Sequence, residues 1–379
     1  MATSKHIAPK QIALGLMSGT SLDGVDAAFL ETDGQQIHRF GPSLCLDYTD
    51  AERQTLQHTT QEALTWQFQG AQPKSFKAAE IIIHEAHLRA VKQLCEAHPI
   101  WAKDLSLIGF HGQTVLHRSP KGSVRGRTLQ LGDGQTLAKA LGVPVCYDFR
   151  TADVEAGGQG APLAPIYHQA LIASSKLSLP TAVLNIGGVG NVTLMTEKGR
   201  IIASDTGPGN GPLDIWIEKN GLGKFDPDGR HSVAGMPNFH AVKTWLGRAF
   251  FQQPVPRSAD RFDFDVLADM GDLSIEDGAA TLAAFTVLAV THTLNEMDET
   301  PKSLIVCGGG RHNKAMMWML REELDAEVKT AEDVGWNSDA IEAQAFAYLA
   351  VRSKMKLPFS FPTTTGIAKP MTGGILALP

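Results

Sequence analysis

IALGLMSGTSLDGVDAAFL, residues Ile12 to Leu30, is an apolar run, a turn of small residues, and a second apolar run. AVLNIGGVGNVTLM, residues Ala182 to Met195, has the same form in the other half of the chain. Repetition of one strand–turn–strand unit in two halves marks an internal duplication. Glycine lets the backbone take positive φ and approach a ligand closely, so that its N–H groups converge on phosphate oxygens. Either hairpin alone is as well explained by its turn. Together they describe two turns able to hold a polyphosphate. No GxxxxGK[ST] sequence and no GxGxxG after a strand is present, so a nucleotide is held here by other means than the P-loop or the dinucleotide fingerprint.

A length of 379 residues points to two domains with a cleft between them. Hydrophobic residues at 43% and charged residues at 20% are ordinary for a globular protein, and no apolar run reaches the length of a membrane span. The first ten residues hold no apolar stretch before a small-residue cleavage site, which predicts a cytoplasmic protein. Cys45, Cys95, Cys146 and Cys307 are widely spaced and match no metal pattern, so they read as reduced, packed thiols. Net charge is −6 with the basic residues scattered, which argues against nucleic acid as a partner.

Helical spacing of apolar residues runs from Ala78 to Ala97, and a second helix, rich in Ala, Thr, Leu and Val, spans about Gly278 to Asn295 as core. Leu105–Phe110 reads as a strand leading into His111-Gly112-Gln113-Thr114, and Val143–Tyr147 as another leading into Asp148-Phe-Arg150. Ligands of open α/β sheets bind beyond the carboxyl ends of strands, so these polar ends are candidate site positions. After GGQGAPL at 157–163 the order repeats, with strands at Arg200–Ser204 and Ser303–Cys307. Strands alternating with helices give an α/β fold. The first domain is placed at 1–150 with about 355–379, and the second at 151–354.

The segment Ser204 to Pro212 reads as the densest polar loop. Asp205 is either a general base, since a fixed carboxylate takes a proton from water, or, like Asn210, a cap for the next helix. Arg150, in a patch with Asp148 and Asp153, either forks onto a substrate carboxylate or phosphate or serves an ion-paired hinge. Gly308, Gly309 and Gly310 let a strand pass a flat ligand, or simply make a tight turn. Glu342 is a second carboxylate if it faces the cleft, and a solvated helix residue otherwise.

The set MSGTSLDGVD at 17–26, FHGQT at 110–114, DFR with GGQGAPL at 148–163, LNIGG at 184–188, DTGPGN at 205–210 and CGGG at 307–310 resembles the anhydro-N-acetylmuramic acid kinases. The resemblance implies two duplicated actin-like ATPase (ribonuclease H-like) domains around a nucleotide cleft, with ATP and Mg²⁺ as cofactors. It implies ring opening of 1,6-anhydro-N-acetylmuramic acid with phosphorylation of O6, in peptidoglycan recycling. Under it Asp205 is the catalytic base, and Gly19, Thr20, Ser21, Leu22, Asp23, Gly24, Val25 and Asp26 wrap the phosphates. Gly187 and Gly188 approach them from the second domain, Gly308 to Gly310 border the adenine, and Gln113, Arg150 and Glu342 hold sugar or water. Met17 stands near the place where the wider fold carries a metal-positioning Asp, which leaves the metal ligands unknown. The resemblance also suggests a homodimer. A kinase for another anhydrosugar such as levoglucosan, or a non-catalytic ATP-dependent binding module, are the competing readings.

Overall fold

The computed structural model describes residues 9–120, 122–259 and 264–379. It holds two sheets. The first contains β1 (Gln11–Ser18), β2 (Gly24–Thr32), β3 (Ile37–Asp47), β4 (Leu105–Arg118), β5 (Arg127–Leu131) and β6 (Val145–Tyr147). The second contains β7 (Thr181–Ile186), β8 (Val189–Met195), β9 (Ile201–Pro208), β10 (Ser303–Cys307) and β11 (Glu327–Thr330), and a last short strand, β12 (Ile375–Ala377), returns to the first sheet. The orders are β12-β6-β4-β1-β2-β3, with β5 on β4, and β11-β10-β7-β8-β9. In each, the opening hairpin pairs antiparallel while the later strands add in parallel beside its first strand. One topology therefore occurs twice, as the two hairpins implied.

Two compact units follow: residues 1–160, 339–361 and 368–379, and residues 161–338 with 362–367. The chain leaves the first unit at Gly160, and it returns at Asp339 rather than near 355. The helix Ile341–Lys354 packs on β1, β2 and β4, and so belongs with the first sheet. Gly15 on β1 and Gly109 on β4 permit this seat. A Cβ on Gly15 would lie inside the Ala343 carbonyl, and one on Gly109 inside that of Phe346.

In the first unit the helix Ser75–Ala97 buries Phe76, Ala79, Ile83, Ala86, Ala90, Val91 and Leu94 on one face, against Leu14, Leu16, Ile108 and Phe110 of the sheet. A capping box starts the helix Asp50–Trp66, Thr49 and Glu52 each accepting the other's backbone N–H. In the second unit the helix Ile275–Asn295 is apolar on nearly all sides and forms the centre of the core. By length and composition it could cross a membrane, contrary to the expectation that no run reaches that length. In the structure 78% of its 18-residue apolar window is buried among the unit's own side chains.

Two strands run further than their apolar stretches suggest. β4 continues through His111–Thr114 to Arg118 because β5 pairs with its second half, and β9 continues through Asp205 to Pro208 because β8 pairs with it throughout. The polar residues expected in loops at those two places are thus held on strands. Cys45 is exposed, contrary to the expectation of four packed thiols, while Cys146 and Cys307 are buried. Gly15→Ala should destabilise the chain by on the order of 2 kcal/mol or more, because a methyl group here must displace a helix backbone; an unchanged urea midpoint would mean that the helix does not sit as described.

Candidate active site

In the second unit Asp205 is 6% exposed. It lies on β9 opposite Asn191 of β8, which in turn lies opposite Asn185 of β7, so a polar row crosses three strands. The Asp205 carboxylate accepts the Ala259 N–H at 2.8 Å, and its own N–H donates to the Arg257 carbonyl at 2.9 Å. Neither Asp205 nor Asn210 acts as a helix cap. Asn210 occupies the cap position of the helix Gly211–Lys219 without a side-chain cap bond, and its Nδ2 leans toward the Ile186 carbonyl at 3.4 Å.

Beyond Asp205 the chain is tied to the glycine turn of the β7–β8 hairpin. Gly209 N–H and Gly211 N–H donate to Gly188 O, both at 3.1 Å, and Asn210 N–H donates to Gly187 O at 2.7 Å. Gly188 has an ordinary φ, and a Cβ there would meet no protein atom within 4 Å. Neither packing nor backbone geometry of the protein calls for glycine at this position. Gly308 and Gly310 are different. Their Cβ atoms would strike Asn185 and Ile186, so folding itself requires them, and exposed Gly309 alone faces outward toward Asn210.

In the first unit the run from Gly19 to Asp26 divides. Leu22 and Val25 are buried in the core, and Gly24 is wedged against the Leu46 backbone. Thr20, Ser21 and Asp23 are exposed, Gly19 is partly so, and Asp23 pairs with Arg53 at 3.0 Å. Gln113 is 1% exposed and supports this turn: its Oε1 accepts from Ser18 Oγ at 2.5 Å and its Nε2 donates to Gly19 O at 3.2 Å. Arg150 donates through Nε to His111 Nε2 at 3.1 Å and through Nη1 to Gly160 O at 2.7 Å. His111 Nδ1–H donates to Gly112 O at 2.8 Å, which leaves Nε2 as the acceptor that Arg150 needs. Burial, with Arg150 beside it, holds the His111 pKa well below the usual histidine range, so this neutral tautomer is the working form. Asp153 is buried and accepts the Gly160 N–H at 2.7 Å, shaping the GGQG turn. Glu342 is exposed on the first turn of its helix. Sequence reasoning singled out Asp205, Arg150 and the strand end at His111, but it did not pair His111 with Arg150 and it missed Ala259 as the partner of Asp205.

Burial, with Asp339, Asp23 and Asp47 nearby, raises the Asp26 carboxyl to about 6 from 3.8, against a hydrogen bond with Cys45 that lowers it. Between these values the folded chain binds more protons than the unfolded chain, so this group makes stability fall as pH rises from about 4 to about 6. Asp26→Asn should therefore gain roughly 2 kcal/mol near pH 7.5 and close to nothing near pH 3.5. Equal gains at both pH values in denaturant melts would refute the assignment.

The family model for anhydro-N-acetylmuramic acid kinase matches residues 11–378. The anhydro-N-acetylmuramic acid kinase of Phenylobacterium zucineum is 48% identical over 366 residues, covering 97% of this chain and 99% of the relative. That of Caulobacter vibrioides is 48% identical over 361 residues, covering 95% and 97%. Among solved structures, the activator of 2-hydroxyisocaproyl-CoA dehydratase from Clostridium difficile, with bound ADPNP, aligns at TM-score 0.45 and 11% identity over 90% of this chain and 94% of that one. Matched from end to end at close to half of its positions, the chain belongs to the anhydro-N-acetylmuramic acid kinase family.

Proposed function

We propose that this protein uses ATP and water to convert 1,6-anhydro-N-acetylmuramic acid into N-acetylmuramic acid 6-phosphate and ADP, with Asp205 as general base, as a step of peptidoglycan recycling. The observation that carries the assignment of the base is the setting of Asp205, a nearly buried carboxylate held by a backbone N–H beside a glycine turn that is open at Gly188. Water's oxygen attacks the anomeric carbon, its proton passes to Asp205, and the bond from that carbon to O6 breaks. Glycoside cleavage ordinarily needs a carboxylic acid to protonate the departing oxygen. Here the γ-phosphoryl group of ATP captures O6 in place of a proton, so one base suffices.

The backbone at Gly187 and Gly188 and the exposed positions Gly19, Thr20, Ser21 and Asp23 are suited to line phosphates, and Gly309 to border the base of the nucleotide. Bound Mg²⁺ would supply charge neutralisation on the transferring phosphates. Among the described residues no group of three His, Cys, Asp or Glu side chains could hold a metal ion. Arg150, held by His111 and the Gly160 carbonyl, is the cation offered to the lactyl carboxylate that distinguishes this sugar from levoglucosan. Gln113 acts through the first turn, and Glu342 is the further carboxylate offered to sugar or water. Dependence on ATP fits a cytoplasmic setting.

Asp205→Asn should lower kcat about 1000-fold while leaving ATP affinity within about threefold, since a general base contributes to turnover and not to nucleotide binding; near-normal turnover would remove the base. Gly188→Ala should raise KM for ATP by about tenfold, roughly 1.4 kcal/mol, with an unchanged melting temperature. A fall in stability instead would show that the glycine serves folding. With ¹⁸O-labelled water, the product should carry the label at C1 and none in its phosphate. Labelled free phosphate alone would favour an ATPase module, and no sugar phosphate at all would favour another substrate.

A further inference from the structure

β9 is the outer strand of its sheet, and the irregular segment 257–259 lies along its open edge. Four hydrogen bonds join the two. Asp205 N–H donates to Arg257 O, Ala259 N–H donates to the Asp205 carboxylate, and Ser204 Oγ both accepts the Arg257 N–H at 3.1 Å and approaches Arg257 O at 3.3 Å. The segment is anchored from behind by the Arg257 side chain, which is 1% exposed. Its guanidinium pairs with Glu296 at 2.7 Å, donates to Gln253 O at 2.5 Å and to Thr293 Oγ1 at 3.0 Å, and lies over the Phe250 ring.

Burying a guanidinium is an inefficient way to gain stability, even when it is paired as here with the exposed Glu296, because desolvation offsets most of the Coulomb energy. What a guanidinium bonded in three directions provides is a single orientation. We propose that Arg257 is a positioning residue for the base: it fixes the 257–259 segment so that the Ala259 N–H holds the Asp205 carboxylate in one orientation toward the reacting water. This rests on the assignment of Asp205 as the base. Arg257 is also a cation within Coulombic reach of Asp205, though its main partner is Glu296. Among the described residues, titratable groups on the elements around β9 include Glu296 and His292, which pair with each other at 3.4 Å, and His168 on the helix Pro165–Ser175, kept neutral by burial.

The test uses the full chain with Asp205→Asn, Arg257→Lys and the double variant Arg257→Met/Glu296→Gln, which leaves no buried charge unpaired. Turnover is followed across pH 5 to 9 beside thermal melts. The double variant should lose about 30-fold in kcat with KM for both substrates within about threefold. Its acid limb should move up by about one pH unit, because a carboxylate that loses a nearby cation and a fixed donor is harder to ionise. Arg257→Lys keeps the cation, so it should hold the acid limb near that of the unaltered enzyme with about fivefold lower kcat, since one ammonium cannot make all three contacts. Wild-type kcat and acid limb in the double variant, or a fall in kcat with an unmoved limb, would overturn the proposal. If the double variant does not fold, Arg257→Lys decides, and unchanged kcat there overturns it. Turnover by Asp205→Asn would instead overturn the base assignment itself, whatever the Arg257 variants do.

Discussion

Backbone approaching backbone more closely than any side chain permits is the constraint on which both units depend. In the first unit the glycines on β1 and β4 let the helix Ile341–Lys354 rest directly on the sheet. In the second, Gly209 and Gly211 could not donate to Gly188 O if either carried a Cβ, because each would strike the 187–188 turn. That lashing sets where β9 ends and where the helix Gly211–Lys219 begins, and so fixes the strand on which Asp205 sits. Glycine here is a packing residue first. Gly188, with nothing near its missing Cβ, stands apart from Gly209 and Gly211, whose absence of a side chain the packing demands.

Charge is handled by the same economy. The ionisable groups near the candidate site residues are each given a state by fixed partners: His111 is neutral and accepts from Arg150, Asp205 accepts from a backbone N–H, and Arg257 is tied in three directions. In a low-dielectric setting an unpaired polar group is costly, so these contacts specify geometry as much as they add stability. Asp26 is the exception, a carboxyl pushed up by burial among other carboxylates. It sits across from Met17 on the opening hairpin, on the strand that the first turn leads into.

Much of the fold could be read directly. The two hairpins, the core helices and the strand Ser303–Cys307 follow from apolar periodicity and from turn residues at the expected places. The ends of β4 and β9 did not, because Gln113–Arg118 and Asp205–Pro208 are held in strands by their partners β5 and β8 rather than by their own propensity. The helix Ile341–Lys354 was assigned to the wrong half for a similar reason: a helix with Ala, Phe, Tyr and Leu on most of its faces does not say which sheet it covers.

The same division holds at the site. Local pattern singled out Asp205, Arg150, the first turn and Gly187–Gly188 as candidates, because chemistry that grips phosphates or moves protons requires particular residue types at short spacing. It could not tell that Leu22 and Val25 point inward, that Gln113 braces a turn, or that Gly308 and Gly310 serve packing. Nor could it connect Arg257 to Asp205, which lie far apart in the chain and are joined by hydrogen bonds across a sheet edge. The sequence by itself determined the duplicated α/β architecture and the residues with chemical potential, since these depend on local periodicity and composition. Only the tertiary structure decided which of those residues are oriented, and by what, because orientation comes from partners that are distant along the chain and adjacent in space.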